Sequence, residues 1–535
     1  MTLSQDFYAL PSLVAPETFQ VYDTTLRDGA QQEGLRLTVA DKLKIARHLD
    51  DFGVTFIEGG WPGANPGDTA FFEAVRAGEI TLKHSLLSAF GSTRRVGRAA
   101  ADDPMVAAVR DSGAPVACLV AKSHVRHVEL ALRTTLAENL EMIADTVTHL
   151  VAEGQRVFLD AEHFFDGYRT DRNYSLEVIR TAADAGAEAV VLCDTNGGML
   201  PSWMPDIVGD AGEVGIDLGI HCHNDSGCAV ANTIAAVEAG AVHVQGTING
   251  YGERTGNADL VQVVANLELK YGWEVLPPGA LAEATRISHA IAALTNSPSA
   301  PRQPYVGQSA FAHKAGLHAS AVRVDPMLYQ HVDPAVVGND MRTLVSDMAG
   351  RANIQMKGEE LGFDLSDREL AAQVTDVVKQ REAAGYSYES ADASFELLLR
   401  DATGQLPRPF VVQNWRVYTH SHSPEQTDTE ATVKLTAKDI ERLFVGEGNG
   451  PVNALDHALR RALADAYPQV LAYDLTDYRV RILDEGRTTD ATVRVLIDTT
   501  DGERSWTTVG VGENVIEASW EALSDAYLYG LITEG

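Results

Sequence analysis

From Phe19 to about Gly272 the chain alternates short β-branched runs with stretches whose apolar residues recur at helical spacing. The short runs predict eight strands, at 19–23, 54–58, 83–89, 116–120, 156–160, 189–193, 218–221 and 242–246. Between them lie amphipathic segments such as Val39-Ala-Asp-Lys-Leu-Lys-Ile-Ala-Arg-His-Leu-Asp-Asp-Phe52, which stops at Gly53 just before the next strand. Eight β/α units in roughly 250 residues fit a closed (β/α)8 TIM barrel. An open doubly wound sheet is the competing reading, because one misassigned strand breaks the count.

Beyond the barrel the pattern changes twice. A helical stretch at 278–295 leads into Asn296-Ser-Pro-Ser-Ala-Pro-Arg-Gln-Pro304, a stiff connector, and then into a mostly helical region reaching about Leu399. That region carries His313-Lys-Ala-Gly-Leu-His318. From about Pro407 strands return, and an internal repeat shows: Glu430-Ala-Thr-Val-Lys434 recurs as Asp490-Ala-Thr-Val-Arg494. Each copy is followed by a Gly-rich turn and an Ala/Leu-rich helix, opened by Gly448-Asn-Gly-Pro-Val-Asn-Ala454 and Gly512-Glu-Asn-Val-Ile-Glu-Ala518. A duplicated β/α module tends to pack on its own copy or on a partner chain, which predicts a pseudo-symmetric domain at a homodimer interface. The expected organisation is a TIM barrel (1–275), helical linker subdomains (276–404), and a C-terminal duplicated α+β dimerisation domain (405–535).

Composition narrows the setting. The net charge of −32 is spread along the 535 residues, which argues against nucleic acid or an anionic membrane as a partner, so an anionic substrate needs a locally positive site. The four cysteines, Cys118, Cys193, Cys222 and Cys228, form no C-x-x-C pair, as in a reduced cytoplasmic interior. The N-terminus lacks a basic segment followed by an apolar one, and no run approaches the length of a membrane span. The expected location is the cytoplasm.

In a (β/α)8 barrel the working residues sit at the C-terminal ends of the strands and in the loops that follow. The most informative segment is Gly219-Ile-His-Cys-His-Asn-Asp-Ser-Gly227. Alternate side chains leave one face of a strand, so His221 and His223 point together, as half of a divalent-metal site. A packed pair of histidines explains a bare His-x-His equally well. Asp28, past the first strand, and Asn257, past the eighth, would add oxygen donors at the same rim. Within Val21-Tyr-Asp-Thr-Thr-Leu-Arg-Asp-Gly29, Arg27 sets a guanidinium beside Asp28, facing a substrate oxygen or forming a plain surface ion pair. Glu162 lies at the fifth strand end, and Asp194 and Thr195 at the sixth. His318 can act only if its segment folds over the mouth. The loop Tyr251-Gly-Glu-Arg-Thr-Gly-Asn-Ala258 either cradles a phosphate or simply turns the chain.

Thr24-Thr-Leu-Arg-Asp-Gly29, His221-Cys-His-Asn-Asp225, Gly252-Glu-Arg-Thr-Gly-Asn257 and Ala315-Gly-Leu-His318 together resemble the signatures of the acyl-CoA/2-oxo-acid condensing enzymes. That family includes 2-isopropylmalate, homocitrate and citramalate synthases and shares a fold with 3-hydroxy-3-methylglutaryl-CoA lyase. The resemblance covers essentially the whole chain, its duplicated tail being similar to the family's allosteric dimer domain. Ile57-Glu-Gly-Gly-Trp-Pro-Gly63, Asp160-Ala-Glu-His-Phe-Phe-Asp-Gly167 and Cys193-Asp-Thr-Asn-Gly-Gly198 look like the citramalate synthase branch, although Asp160 replaces an aromatic residue found in some of its members.

The resemblance implies Asp28, His221 and His223 as ligands of a divalent cation (Mn²⁺, Mg²⁺, Co²⁺ or Zn²⁺), with Asn257 on or next to it. Arg27 would polarise the keto oxygen, Thr195 would hold the substrate carboxylate, and Glu162, His318 and Tyr329 would share the proton transfers. The implied reaction joins acetyl-CoA, as co-substrate, to a 2-oxo acid, with pyruvate the first candidate and isoleucine the implied effector. A 2-isopropylmalate synthase acting on 2-oxoisovalerate is the nearest rival. A lyase is disfavoured because those relatives place a cysteine where this chain reads Gly250-Tyr-Gly-Glu253, and a non-catalytic sensor because no ligand is lost.

Overall fold

The computed structural model describes residues 14–313, 318, 321–322, 324–343, 351–423, 426–483 and 491–533. Residues 314–317 of the His313 to His318 motif, and Asp490 of the repeat, lie outside the described residues. The chain divides into two compact units, Met1–Phe311 with Val332–Asp340, and Ala312–His331 with Met341–Gly535.

In the first unit eight parallel strands close in sequence order, which removes the open-sheet alternative. They are β1 (Gln20–Asp23), β2 (Phe56–Glu58), β3 (Leu86–Ser92), β4 (Val116–Lys122), β5 (Arg156–Glu162), β6 (Ala189–Asp194), β7 (Asp217–Cys222) and β8 (His243–Gly246). β8 pairs back onto β1, with Gln20 opposite His243 and Asp23 opposite Gly246. β3 begins three residues later than the sequence pattern suggests. The carboxylate of Asp50 accepts from the backbone N–H groups of Lys83, His84 and Ser85 at 2.8 Å each, so these residues close a loop instead of joining the ladder. The helix Val39–Phe52 forms as its periodicity predicts. Thr38 and Asp41 make a reciprocal capping box at its start, and Gly53, at φ 84°, ends it in the left-handed conformation.

Strand alternation decides what fills the cylinder. Val21, Ile57, Val157 and Leu159 point outward into the main core beneath the helices, while Tyr22, Phe56, Phe90, Cys118 and Phe158 form a separate inner cluster. His243 completes that layer, its ring 4.9 Å from Phe158 and 5.3 Å from Tyr22. Gly219 makes room for it, since a Cβ there would lie 2.9 Å from the imidazole. Burial pushes the His243 pKa down to about 3, so the ring is a neutral packing element. Each fully buried aromatic contributes roughly 1.5–3 kcal/mol, which makes this layer a rigid floor. Two residues further along β2, β5, β8 and β7, on the same inner face, the side chains turn polar: Glu58 above Phe56, Asp160 above Phe158, Gln245 above His243 and His221 above Gly219.

The second unit contains the helices Arg351–Glu360, Arg368–Ala383 and Asp392–Ala402, then two copies of one module. The first is an antiparallel sheet of Phe410–Ser423, Gln426–Ala437 and Ile440–Gly448 followed by the helix Pro451–Ala464. The second is Asp474–Ile482, Val493–Thr500 and Ser505–Gly512 followed by Val515–Thr533. Gly446 and Gly510 hold equivalent places. A Cβ on either would strike the backbone of the helix behind it, at Ala454 and Ala458 or at Ala518 and Ala522. On the face of the first sheet turned away from its helix Leu443 and Val445 are exposed. In the second sheet that face packs through Val509 on the helix Asp392–Ala402, and the exposed Tyr478, Val480 and Ile482 lie on the edge strand, on the helix-bearing face. Among the described residues no helix is long and apolar enough to cross a membrane.

Candidate active site

Asp28, His221 and His223 meet at the C-terminal rim of the barrel, with potential ligand atoms all within 4.8 Å of one another. His221 is the fifth residue of β7, and His223 follows the strand directly. The His223 segment is fastened on both sides. His223 N–H donates to the Asp194 carbonyl, Asn224 N–H to the Gly256 carbonyl, and Ala258 N–H to the Cys222 carbonyl. His223 and Asn257 thereby form an isolated antiparallel bridge that carries Asn257 to the same spot. The amide nitrogen of Asn257 donates to Asp28 Oδ1 at 3.1 Å and to the Tyr251 carbonyl at 2.9 Å. Its Oδ1 and the Nδ1 of His223 are buried without a protein partner. Unpaired buried polar atoms are costly, and two beside a carboxylate and a second imidazole fit a bound divalent cation.

The loop carrying Asn257 needs its glycines. Gly252 and Gly256 have φ of 149° and 87°, and a Cβ on Gly256 would land on the Gly250 carbonyl oxygen. Arg254 ties the loop to its neighbours with a two-pronged pair to Asp225, at 2.8 and 2.9 Å, and a bond to the Thr195 carbonyl at 2.7 Å. The loop therefore fastens a metal-facing residue; nothing in these contacts calls for a phosphate.

Arg27 is oriented by two carboxylates. It donates to Asp28 Oδ2 at 2.8 Å and to Glu58 Oε2 at 2.6 Å, with its guanidinium 3.9 Å over the Phe90 ring. Glu58 also accepts from the hydroxyls of Tyr22 and Thr24, at 2.6 and 2.5 Å, and is fully buried. Burial acts to lower the Arg27 pKa, but Glu58 and Asp28 outweigh it and hold the group charged. Burial likewise acts to raise the Asp28 pKa. Arg27, the two histidines and the Asn257 amide overcome this and hold its carboxyl well below the usual range. Burial and the neighbouring His221 push the His223 pKa down to about 4, which favours the neutral, ligating imidazole at neutral pH. The surface-pair reading of Arg27 and Asp28 does not fit side chains only 11% and 8% exposed.

Glu162 is the last residue of β5 and forms an ion pair with Lys122, its register partner on β4. The Thr195 hydroxyl oxygen accepts from His163 N–H at 2.8 Å, leaving its own proton as the group that can donate to a carboxylate. His318 and Tyr329 belong to the second unit, where their rings stack at 4.1 Å. Sequence reasoning missed three side chains at the rim: Glu58, Lys122 and Gln245. A cavity of about 620 Å³ opens beside Asn257, lined also by Asn224, Tyr251, Thr255 and Gln262.

Residues 18–291 match the HMGL-like family profile, over half of the chain. The chain belongs to the HMGL-like family. Residues 305–385 match the homocitrate synthase post-HMGL domain-like family, and 389–531 the LeuA allosteric (dimerisation) domain. The chain is 63% identical over 522 residues to an (R)-citramalate synthase of Streptomyces coelicolor, covering 97% of this chain and 98% of that protein. It is 48% identical to an (R)-citramalate synthase of Synechocystis, covering 96% of each, and 34% identical to a probable 2-isopropylmalate synthase of Methanopyrus kandleri, covering 95% and 97%. The citramalate synthases are thus much nearer than the 2-isopropylmalate synthase.

Proposed function

We infer that this chain is a citramalate synthase, an acyltransferase that joins the methyl carbon of acetyl-CoA to the keto carbon of pyruvate and then hydrolyses the thioester, giving citramalate and CoA. The observation that carries the reading is the convergence of Asp28, His221, His223 and the unpartnered Asn257 oxygen on one point beside a rigidly held Arg27. A divalent cation held by these residues supplies Lewis-acid polarisation of the keto oxygen. Arg27, fixed by Glu58, faces the same oxygen and stabilises the charge that develops there as the carbon–carbon bond forms. Thr195, aligned by His163, donates to the substrate carboxylate. Glu162, partnered by Lys122, takes part in the proton transfers with His318 and Tyr329. The donor set accepts Mn²⁺, Mg²⁺, Co²⁺ or Zn²⁺.

The rest of the chain belongs to the same reading: a barrel over 1–275, a helical linker over 276–404, and a regulatory, dimer-forming domain over 405–535, in a cytoplasmic enzyme of isoleucine biosynthesis. Isoleucine is the proposed effector. A cavity of about 390 Å³ lies where the helices Pro451–Ala464 and Val515–Thr533 begin, lined by Val452, Val515, Ile516, Tyr478 and Ser519. Apolar walls suit a branched side chain, and helix N-termini favour its carboxylate.

Thiol release from acetyl-CoA against a panel of 2-oxo acids, with and without chelator, tests the assignment. Pyruvate should outpace 2-oxoisovalerate by at least ~10-fold, the discrimination expected of a pocket facing two extra methyl groups, and chelation should abolish the rate until a divalent ion is restored. A faster rate with 2-oxoisovalerate would make the chain a 2-isopropylmalate synthase. No release with any oxo acid would return the sensor reading.

A further inference from the structure

Gln245 is the last inward-facing side chain of β8, fully buried, and opposite His221 in the parallel register of β7 and β8. Its Oε1 lies 2.8 Å from His221 Nδ1, and its Nε2 lies 3.0 Å from Asp160 Oδ1, which also accepts from the Cys118 thiol at 3.2 Å. A carboxylate oxygen that already receives a thiol proton is an acceptor, so it fixes which end of the amide faces it. The Gln245 nitrogen must point to Asp160 and its oxygen to His221. The oxygen can then bond His221 only if Nδ1 carries the proton. That places the lone pair on Nε2, the nitrogen 3.8 Å from Asp28 Oδ2.

We propose that Gln245, itself oriented by Asp160, is a positioning residue that locks His221 in the Nδ1–H tautomer and so presents Nε2 to the cation. The inference rests on the metal-site reading above and names the part of the protein that sets up one of its ligands. The outer hydrogen bond of a ligating histidine raises its basicity and fixes its ring, and losing such a partner typically weakens metal binding 10–100-fold. The arrangement also gives Asp160 a task, in a position where some citramalate synthases carry an aromatic side chain.

Mn²⁺ binding to the chelator-stripped full-length chain, followed by electron paramagnetic resonance of the free ion, reads this without turnover. Gln245→Leu keeps the volume and removes the acceptor, and its dissociation constant for Mn²⁺ should rise about 10–100-fold. The exchanged pair Asp160→Asn with Gln245→Glu restores a donor facing an acceptor and leaves a carboxylate oxygen for His221, so it should bind Mn²⁺ within a few-fold of the unaltered protein. Equal affinity of Gln245→Leu and the unaltered chain overturns the proposal. So does failure of a folded exchanged pair to recover affinity, with folding checked by circular dichroism. An unaltered chain that takes up no Mn²⁺, Co²⁺ or Zn²⁺ overturns the metal-site reading itself, a separate result.

Discussion

Arg27 shows how a single side chain acquires a function from its neighbours. Its charge alone would serve in any geometry, but here Nε and Nη1 engage two different carboxylates while the planar group lies over Phe90. A lysine at this position keeps the charge and loses the fork and the stacking. Arg27→Lys should therefore lower kcat by about 10²–10³-fold, the loss typical of removing one oxyanion stabiliser, with a smaller change in KM for pyruvate; steady-state thiol release measures both. The Arg-Asp pair was legible in the sequence because it sits in a dense motif after a strand. Glu58 was equally placed, two residues beyond Phe56 on the inner face of β2, and applying the strand-end rule to every strand would have found it. Gln245 could not be found this way. A neutral amide carries no motif, and its role depends on which atoms face Asp160 and His221.

Among the elements, the Gly252 to Asn257 loop carries the most consequence per residue. It stands between β8 and the helix Leu260–Tyr271, and its backbone delivers Asn257 to the rim through the bridge to His223. Gly256→Ala forces a side chain onto the Gly250 carbonyl at a left-handed φ, costing about 1–2 kcal/mol for the backbone conformation alone, and the loop must shift to relieve the contact. kcat/KM should fall at least ~10-fold, since small misplacement of a positioned group is amplified in rate. Gly209→Ala, a helical position with open space around it, should leave activity unchanged and serves as the control. The eight strands were legible because each buried run is short and bounded, yet the start of β3 was not. Three backbone donors are captured there by the Asp50 side chain from another part of the chain, a contact no local pattern encodes.

At the scale of the whole molecule the duplicated module holds a second cavity on a unit distinct from the barrel. The open face of its first sheet carries Leu443 and Val445, and the edge strand of its second exposes Tyr478, Val480 and Ile482, apolar surface of the kind a second copy covers. If isoleucine occupies the cavity at Val452, Val515 and Ile516, its effect on catalysis is a coupling free energy between two sites, and coupling of binding is reciprocal. Millimolar isoleucine should weaken pyruvate binding, and saturating pyruvate should weaken isoleucine binding by the same factor, both measured calorimetrically. Ile516→Trp fills the cavity from a position remote in sequence from every residue assigned to the chemistry. It should abolish the isoleucine effect while leaving the uninhibited rate within about 2-fold, as expected of a substitution that makes no contact with substrate. Inhibition that survives in Ile516→Trp would place the effector elsewhere, and activity indifferent to both isoleucine and leucine would leave the duplicated domain with assembly as its only task.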